Sequence, residues 1–281
     1  VTTPLAAAPA RTRHRIHTAE RYERAIPLPH SLRPWFVAAG HIPMLDPVRR
    51  PFTHIPETDI RLILRHEPTG RRDVVVIGPR TRASYNAADE PATCLRLRLA
   101  PGAALPLLGI AAAELTDRIT VLGELPGPLA EFSDRLLHSP LSESVSILKD
   151  ALPRRLSDDS AERSRRALLS AALAALMTDP APIPEIAARL AVSERQLRAL
   201  FTTGIGVSPK HFARIARVRR LMSEARTTPL SQAAAAVGYY DQSHMTADFR
   251  ALMGIQPTRF LDGDLPAPIP CHSVLSAYAA A

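Results

Sequence analysis

The feature that most constrains this chain is a pattern that occurs twice in its last hundred residues. In the first copy Ser193 stands ahead of Leu197, Leu200 and Phe201, and Gly206-Val207-Ser208-Pro209 follows. In the second, Asp241 stands ahead of Met245 and Phe249, and Gly254-Ile255-Gln256-Pro257 follows. Each copy opens on a short polar side chain that can accept a backbone N–H at a helix start. Each then carries apolar residues on one helical face. Each ends in a glycine, which takes the left-handed conformation of a helix stop at little cost. A complete helix signature that repeats with its turn is an internal duplication.

A shorter helix precedes each copy. Ile183, Ile186 and Leu190 fall on one face, and Ala187 and Ala188 are small enough for a second helix to approach closely. Ala191-Val192 then makes a tight turn. Leu230 to Val237 plays the same part in the second copy, with Gly238 as the break. Helix, short turn and capped second helix is the plan by which a protein places one helix in the major groove of DNA. Between the copies, Ser208 and Pro209 supply an N-cap and a first helical residue. The helix they open should reach about Ala225, roughly 25 Å at 1.5 Å per residue. Phe212, Ile215, Val218, Leu221 and Met222 form its apolar stripe, and Lys210, Arg214, Arg217, Arg219 and Arg220 its other face.

This ordered set resembles the C-terminal domain of the AraC/XylS family over about 80 residues. Ile186-Ala187, Ser193, Leu197, Phe201, Gly206 to Pro209, Arg214, Leu221-Met222, Val237-Gly238-Tyr239, Asp241 to His244, Phe249 and Gly254 to Pro257 carry the likeness. Two positions depart from it: Ala233-Ala234 stands where Ile-Ala is usual, and Tyr240 where a smaller polar residue is common. The resemblance implies that two recognition helices enter successive major grooves on one face of a duplex. Base reading would fall to Arg195, Arg198 and Ala199 on the first helix and to Gln242, Thr246 and Ala247 on the second. Arg pairs in two-point fashion with guanine, Gln with adenine, and alanine meets thymine methyls or reads nothing. Backbone contact would fall to Ser193, Gln196, Lys210, Arg214, Arg217, Ser243, His244 and Arg250. Arg214, Arg217, Arg219 and Arg220 could equally form salt bridges within the domain.

Charge agrees with a polyanionic partner. The 281 residues carry a formal net charge of +8, which favours nucleic acid or an anionic membrane surface. Almost all the cations are Arg, with Lys only at 149 and 210, a bias a GC-rich genome also produces. Residues 182–262 hold 11 Lys+Arg against 6 Asp+Glu. No apolar run approaches the ~18–20 residues of a membrane span, and the first 15 residues lack the apolar core of a secretory signal. The two cysteines, Cys94 and Cys271, form no metal pattern and fit thiols in a reducing cytoplasm.

The first half reads differently. Prolines at 27, 29, 34, 43, 47 and 51 exclude a long helix, and Trp35 and Phe36 would anchor an edge segment onto a core. Ile60 to Leu64, Val74 to Ile77 and Thr93 to Leu99 have strand length and turn punctuation. In the last of these, Leu95, Leu97 and Leu99 face one side and Arg96 and Arg98 the other. Helical spacing follows over 103–108, 110–117, 129–137, 142–152 and 161–177. Val76 to Thr81, Leu97 to Ala104 and Leu108 to Arg118 resemble the small β-rich sensor domains of some actinobacterial regulators, which implies a cupin-like fold with a sensing or dimerising role.

The fold expected is therefore α+β and multidomain. A disordered arm spans 1–25, a β-rich cupin-like sensor domain 26–125 and a helical connector 126–180. An all-α domain with two helix-turn-helix motifs joined by a long helix spans 181–262, and a flexible tail 263–281. The function expected is sequence-specific transcriptional regulation in the cytoplasm, with no catalysis, cofactor or metal. The partners expected are double-stranded DNA, an unidentified small-molecule effector at the N-terminal domain, RNA polymerase for an activator, and a second copy of the chain, with no membrane. His41, His54 and His66 lie among Asp46, Glu57 and Asp59 without metal-ligand spacing. Ile269 to Val274, around Cys271-His272, resembles the active strip of alkylguanine-DNA alkyltransferases, but Ser273 replaces its Arg and too little chain remains to build a pocket. A repair protein of that kind and a non-specific DNA binder are the alternatives.

Overall fold

Leucine and valine alternation in the first half builds one large sheet. The computed structural model describes residues 18–44, 52–87, 91–154, 156, 160–178 and 181–270. Strands β1 (Arg24–Ile26), β2 (Phe36–Ile42), β3 (Phe52–His54), β4 (Arg61–His66), β5 (Arg72–Ile77), β6 (Ser84–Ala87), β7 (Thr93–Leu99) and β8 (Ile119–Val121) come first, and β9 (Ile269–Pro270) comes last. Six of them form a sheet in the order β1-β2-β7-β4-β5-β8, and every pairing in it is antiparallel. In its centre Leu62 lies opposite both Val76 and Leu97, and Leu64 opposite both Val74 and Leu95. Such cross-strand apolar pairs are the unit of sheet stabilisation.

That leucine face is closed by helices. Leu107 and Leu108 of α1 (Ala104–Leu108), Leu136 of α2 (Ser133–His138) and Leu148 of α3 (Leu141–Ala151) are all fully buried against it. The opposite face carries four arginines, each held by a carboxylate. Arg61 pairs with Glu57, Arg65 with Asp73 at 2.6 Å and Glu67 at 3.0 Å, Arg96 with Glu23 at 2.9 Å, and Arg98 with Asp59 at 3.2 Å. Arg61, Arg65 and Arg96 are largely taken out of water and need such partners, whereas the Arg98 pair stays partly exposed. Gly40, across from Arg96, leaves the room into which Glu23 reaches.

Beside this sheet, β6 pairs with β3 antiparallel and with β9 in parallel, Asn86 facing Ile269. The described part of 263–281, read from sequence as a flexible tail, thus contributes a strand to the small sheet. The arm expected over 1–25 lies mostly outside the described residues. Its described end forms a 3-10 turn at Ala19–Tyr22 and enters β1 at Arg24. Trp35 and Phe36 do anchor a core, at 3% and 1% exposure, but β2 is not an edge: β1 and β7 flank it. Prolines on either side had obscured it.

After α4 (Ser160–Thr178) six helices follow before β9: α5 (Ile183–Arg189), α6 (Glu194–Gly204), α7 (Pro209–Glu224), α8 (Leu230–Ala236), α9 (Gln242–Met253) and α10 (Pro257–Asp262). Two cores serve these helices. One joins Ile186, Leu197, Phe201 and Phe212 with Leu169, Ala172 and Leu176 of α4. The other joins Ile215, Val218, Leu221, Met245, Phe249 and Phe260, with Tyr85 of β6 among them. The long helix α7 lends its stripe to both. The architecture is thus a β-rich first half with helices, then an all-α unit of two helix-turn-helix motifs joined by one long helix.

Candidate nucleic-acid interface

Each recognition helix starts where its cap residue dictates. Ser193 Oγ accepts the Gln196 N–H at 3.2 Å, and the Ser193 N–H donates to Gln196 Oε1 at 2.8 Å, a reciprocal capping box. In the second unit the Asp241 carboxylate accepts the His244 N–H at 2.7 Å. At their other ends Gly206 and Gly254 adopt φ of 92° and 74°.

The turns of the two units correspond residue for residue until one position. Leu190 and Val237 cap the short helices; Ala191 and Gly238 follow with φ of 55° and 83°. The N–H groups of Val192 and Tyr239 then return to Ala187 O and Ala234 O, each at 3.0 Å. In the first unit Ser193 comes next. In the second, Tyr240 intervenes before Asp241, and it is 96% exposed.

Six residues were expected to read bases. Arg195, Arg198 and Ala199 are exposed on α6; on α9, Gln242 and Ala247 are exposed and Thr246 half-buried. Thr202, four residues after Arg198, extends the exposed α6 face. Its signal in the sequence is weak because it follows the buried Phe201 that closes the apolar pattern.

The residues expected on the backbone divide. Lys210, Ser243 and Arg250 are exposed. Ser193 and Gln196 are exposed, yet their side chains are engaged in the capping box. Arg214 donates to the buried carboxylate of Asp248 at 2.8 Å, tying α7 to α9. Arg217 lies over the Tyr239 ring at 5.3 Å. His244 packs edge-on against the same ring and sits 3.7 Å from Asp248. Burial, with the Asp248 charge beside it, holds the Tyr239 phenol well above its ordinary range. Arg214, Arg217 and His244 therefore form a cluster that braces the second recognition helix. Lys210, Arg214, Arg217 and His244 also line a groove of about 630 Å³ beside α7.

The β-rich half grips both recognition helices at their C-terminal ends, where helix carbonyls lack intrahelical partners. On α6 and its turn, Gly204 O accepts from Gly102 N at 3.1 Å and Gly206 O from Thr116 Oγ1 at 2.9 Å. On α9, Leu252 O accepts from Ala83 N and Met253 O from the Tyr85 hydroxyl, both at 2.8 Å. Arg219 of α7 donates to Pro56 O at 3.0 Å. Nothing in the sequence pattern pointed to Ala83, Tyr85 or Thr116, whose role depends on contacts more than 80 residues away. His41, His54 and His66 lie on or at the ends of β2, β3 and β4, and Cys271 lies outside the described residues.

Residues 186–263 match the family model described as a helix-turn-helix domain. The C-terminal third is an AraC-type helix-turn-helix domain. The chain is also similar to the probable transcriptional regulator LumQ of Photobacterium leiognathi, 27% identical over 137 residues. That match covers 46% of this chain and 55% of LumQ, so the chain spans about half the length of that curated relative. Two crystal structures of ToxT from Vibrio cholerae align with 79% of this chain and with 95% and 96% of theirs, at 10% and 12% identity and TM-scores of 0.37 and 0.36. No helix among the described residues is long and apolar enough to cross a membrane.

Proposed function

We propose that this chain is a sequence-specific DNA-binding transcriptional regulator that reads two major-groove segments with α6 and α9. The observation that carries this reading is the pair of capped recognition helices, each with an exposed polar face, held in one frame by α7. Arg195, Arg198 and Ala199, with Gln242, Thr246 and Ala247, are the base-reading positions. Lys210, Ser243 and Arg250 are the phosphate contacts best supported by exposure. Arg214, Arg217 and His244 act chiefly by positioning α9.

The β-rich half is the regulatory part of this reading, because it holds the C-terminal ends of both recognition helices. A small-molecule effector, a second copy of the chain, or RNA polymerase would act through that frame. Regulation of this kind requires no catalytic step. The reading module comprises 181–262, with 26–125 as the sensing unit and 126–180 between them.

Selection of bound duplexes from a random DNA pool tests the proposal, followed by titration of the enriched site and of random duplex at two salt concentrations. Two short enriched blocks about one helical turn apart support paired major-groove reading. Uniform, steeply salt-dependent binding to every duplex overturns it in favour of a phosphate-only binder.

A further inference from the structure

We propose that Tyr240 is a DNA-backbone contact through which the second reading unit alone grips a groove wall; this rests on the DNA-binding reading above. The two units match residue for residue through their turns, and Tyr240 is the one residue that the second adds. Its neighbour Tyr239 is buried, at 6% exposure, and takes the place of half-buried Val192 in the first unit. The turn therefore already has its anchor, and Tyr240 stands 96% exposed. A phenol so exposed buries almost no surface in the fold.

Its position determines what it can reach. Asp241 is extended, with φ −145° and ψ 167°, so the Tyr240 and Gln242 Cα atoms lie at most about 7 Å apart. Gln242 is exposed at the first turn of α9, the part of a recognition helix that meets base edges. The major groove is only about 12 Å wide. A long side chain two residues outside the reading turn meets the sugar–phosphate wall, not the groove floor. The phenol O–H donates to a phosphate oxygen, and the ring covers the deoxyribose beside it. Such contacts set register and orientation and carry no base preference. The first unit, with Ser193 directly after Val192, has no counterpart.

The experiment compares the full chain with Tyr240→Phe and Tyr240→Ala on the duplex enriched from the random pool and on random duplex of equal length. Each is also mapped by phosphate-ethylation interference. Tyr240→Phe should lose about three- to tenfold in affinity on both duplexes, the scale of one hydrogen bond. Tyr240→Ala should lose more. The salt dependence should stay unchanged, because a neutral group releases no counterion. One phosphate whose ethylation blocks the parent protein should cease to matter in both variants. Because the side chain is exposed, the melting temperature should not move. Affinities within twofold of the parent with an unchanged interference pattern overturn the inference. A loss confined to the enriched duplex, with base rather than phosphate interference altered, also overturns it. Unchanged DNA binding with lost transcription in a purified system reassigns Tyr240 to a protein partner. If the unsubstituted chain enriches no duplex, the DNA-reading proposal itself falls, an outcome distinct from these.

Discussion

The Tyr85 hydroxyl donates to the carbonyl oxygen of Met253 across 2.8 Å, joining β6 to the last residue of α9 over 168 positions of chain. Tyr85 is 8% exposed, and burial pushes its phenol up to about 12, so it remains a donor throughout the physiological range. The Tyr85→Phe substitution leaves the Met253 carbonyl without this donor. It should cost about 1–2 kcal/mol in urea unfolding. An unchanged midpoint would show that water replaces the hydroxyl.

Arg198→Ala should weaken binding to an enriched duplex by roughly 1–3 kcal/mol while leaving random-duplex affinity nearly intact. Arg198 is exposed and Leu197 beside it fully buried, so the helix should keep its packing. Equal losses on both duplexes would mean that Arg198 touches only phosphate.

Asp248 sits at 6% exposure with Arg214 Nε at 2.8 Å. Asp248→Ala removes the partner of that guanidinium and the brace between α7 and α9. A loss of about 3 kcal/mol is expected, at the low end for a broken buried pair because the Arg214 side chain stays 31% exposed. DNA affinity should fall together with stability, and chemical denaturation beside duplex titration reads both.

Gly206 and Gly238 share a left-handed backbone but not their surroundings. A methyl at Gly238 meets nothing within 4 Å, so Gly238→Ala should cost only the backbone term of roughly 1–2 kcal/mol. A methyl at Gly206 would lie 2.7 Å from Thr116 Oγ1 and 2.8 Å from Ala112 O. Gly206→Ala should therefore cost a further ~1–3 kcal/mol. Differential scanning calorimetry of the two variants separates strain from overpacking; equal shifts would mean that the two halves part easily at Thr116.

Burial and the neighbouring Arg214 hold the His211 imidazole below its ordinary value, against an opposing pull from Asp117 and Asp248. The unfolded chain therefore binds a proton more readily than the folded one. Stability is fully present above the ordinary histidine pKa of 6.5 and falls as pH drops below it. His66, lowered by burial and Arg72, adds to the same trend. Urea midpoints at pH 7.5 and 5.5 should differ in that sense, and His211→Gln should flatten part of the slope. An identical slope in the variant would rule out His211 as its source.

The helical third was legible because its signals are local. Caps at Ser193, Ser208 and Asp241, apolar residues three and four apart, and glycines at the stops all lie within one or two turns of the element they define. Strands β4, β5 and β7 were legible for the same reason, through alternation. Strand β2 was not: in Phe36–Ile42 buried positions include Gly40, which yields its space to Glu23, so no clean alternation appears. Strands β3, β6 and β9 have two to four residues and exist by pairing with one another. In the reading surface, the exposed faces were legible from helical phase. The diversion of Arg214 to Asp248 and of Arg217 to Tyr239 was not, because both depend on how α8 and α9 fold back on α7.

The place of α4 in the core of the first helix-turn-helix has a practical consequence for anyone wishing to transplant this reader. Leu169, Ala172 and Leu176 fill the space against Ile186, Leu197 and Phe201. A chimera joined at residue 181 would carry an open apolar socket where those three side chains had been. A junction placed ahead of Ser160 keeps that plug and socket together, but it still leaves Tyr85 out of the second core.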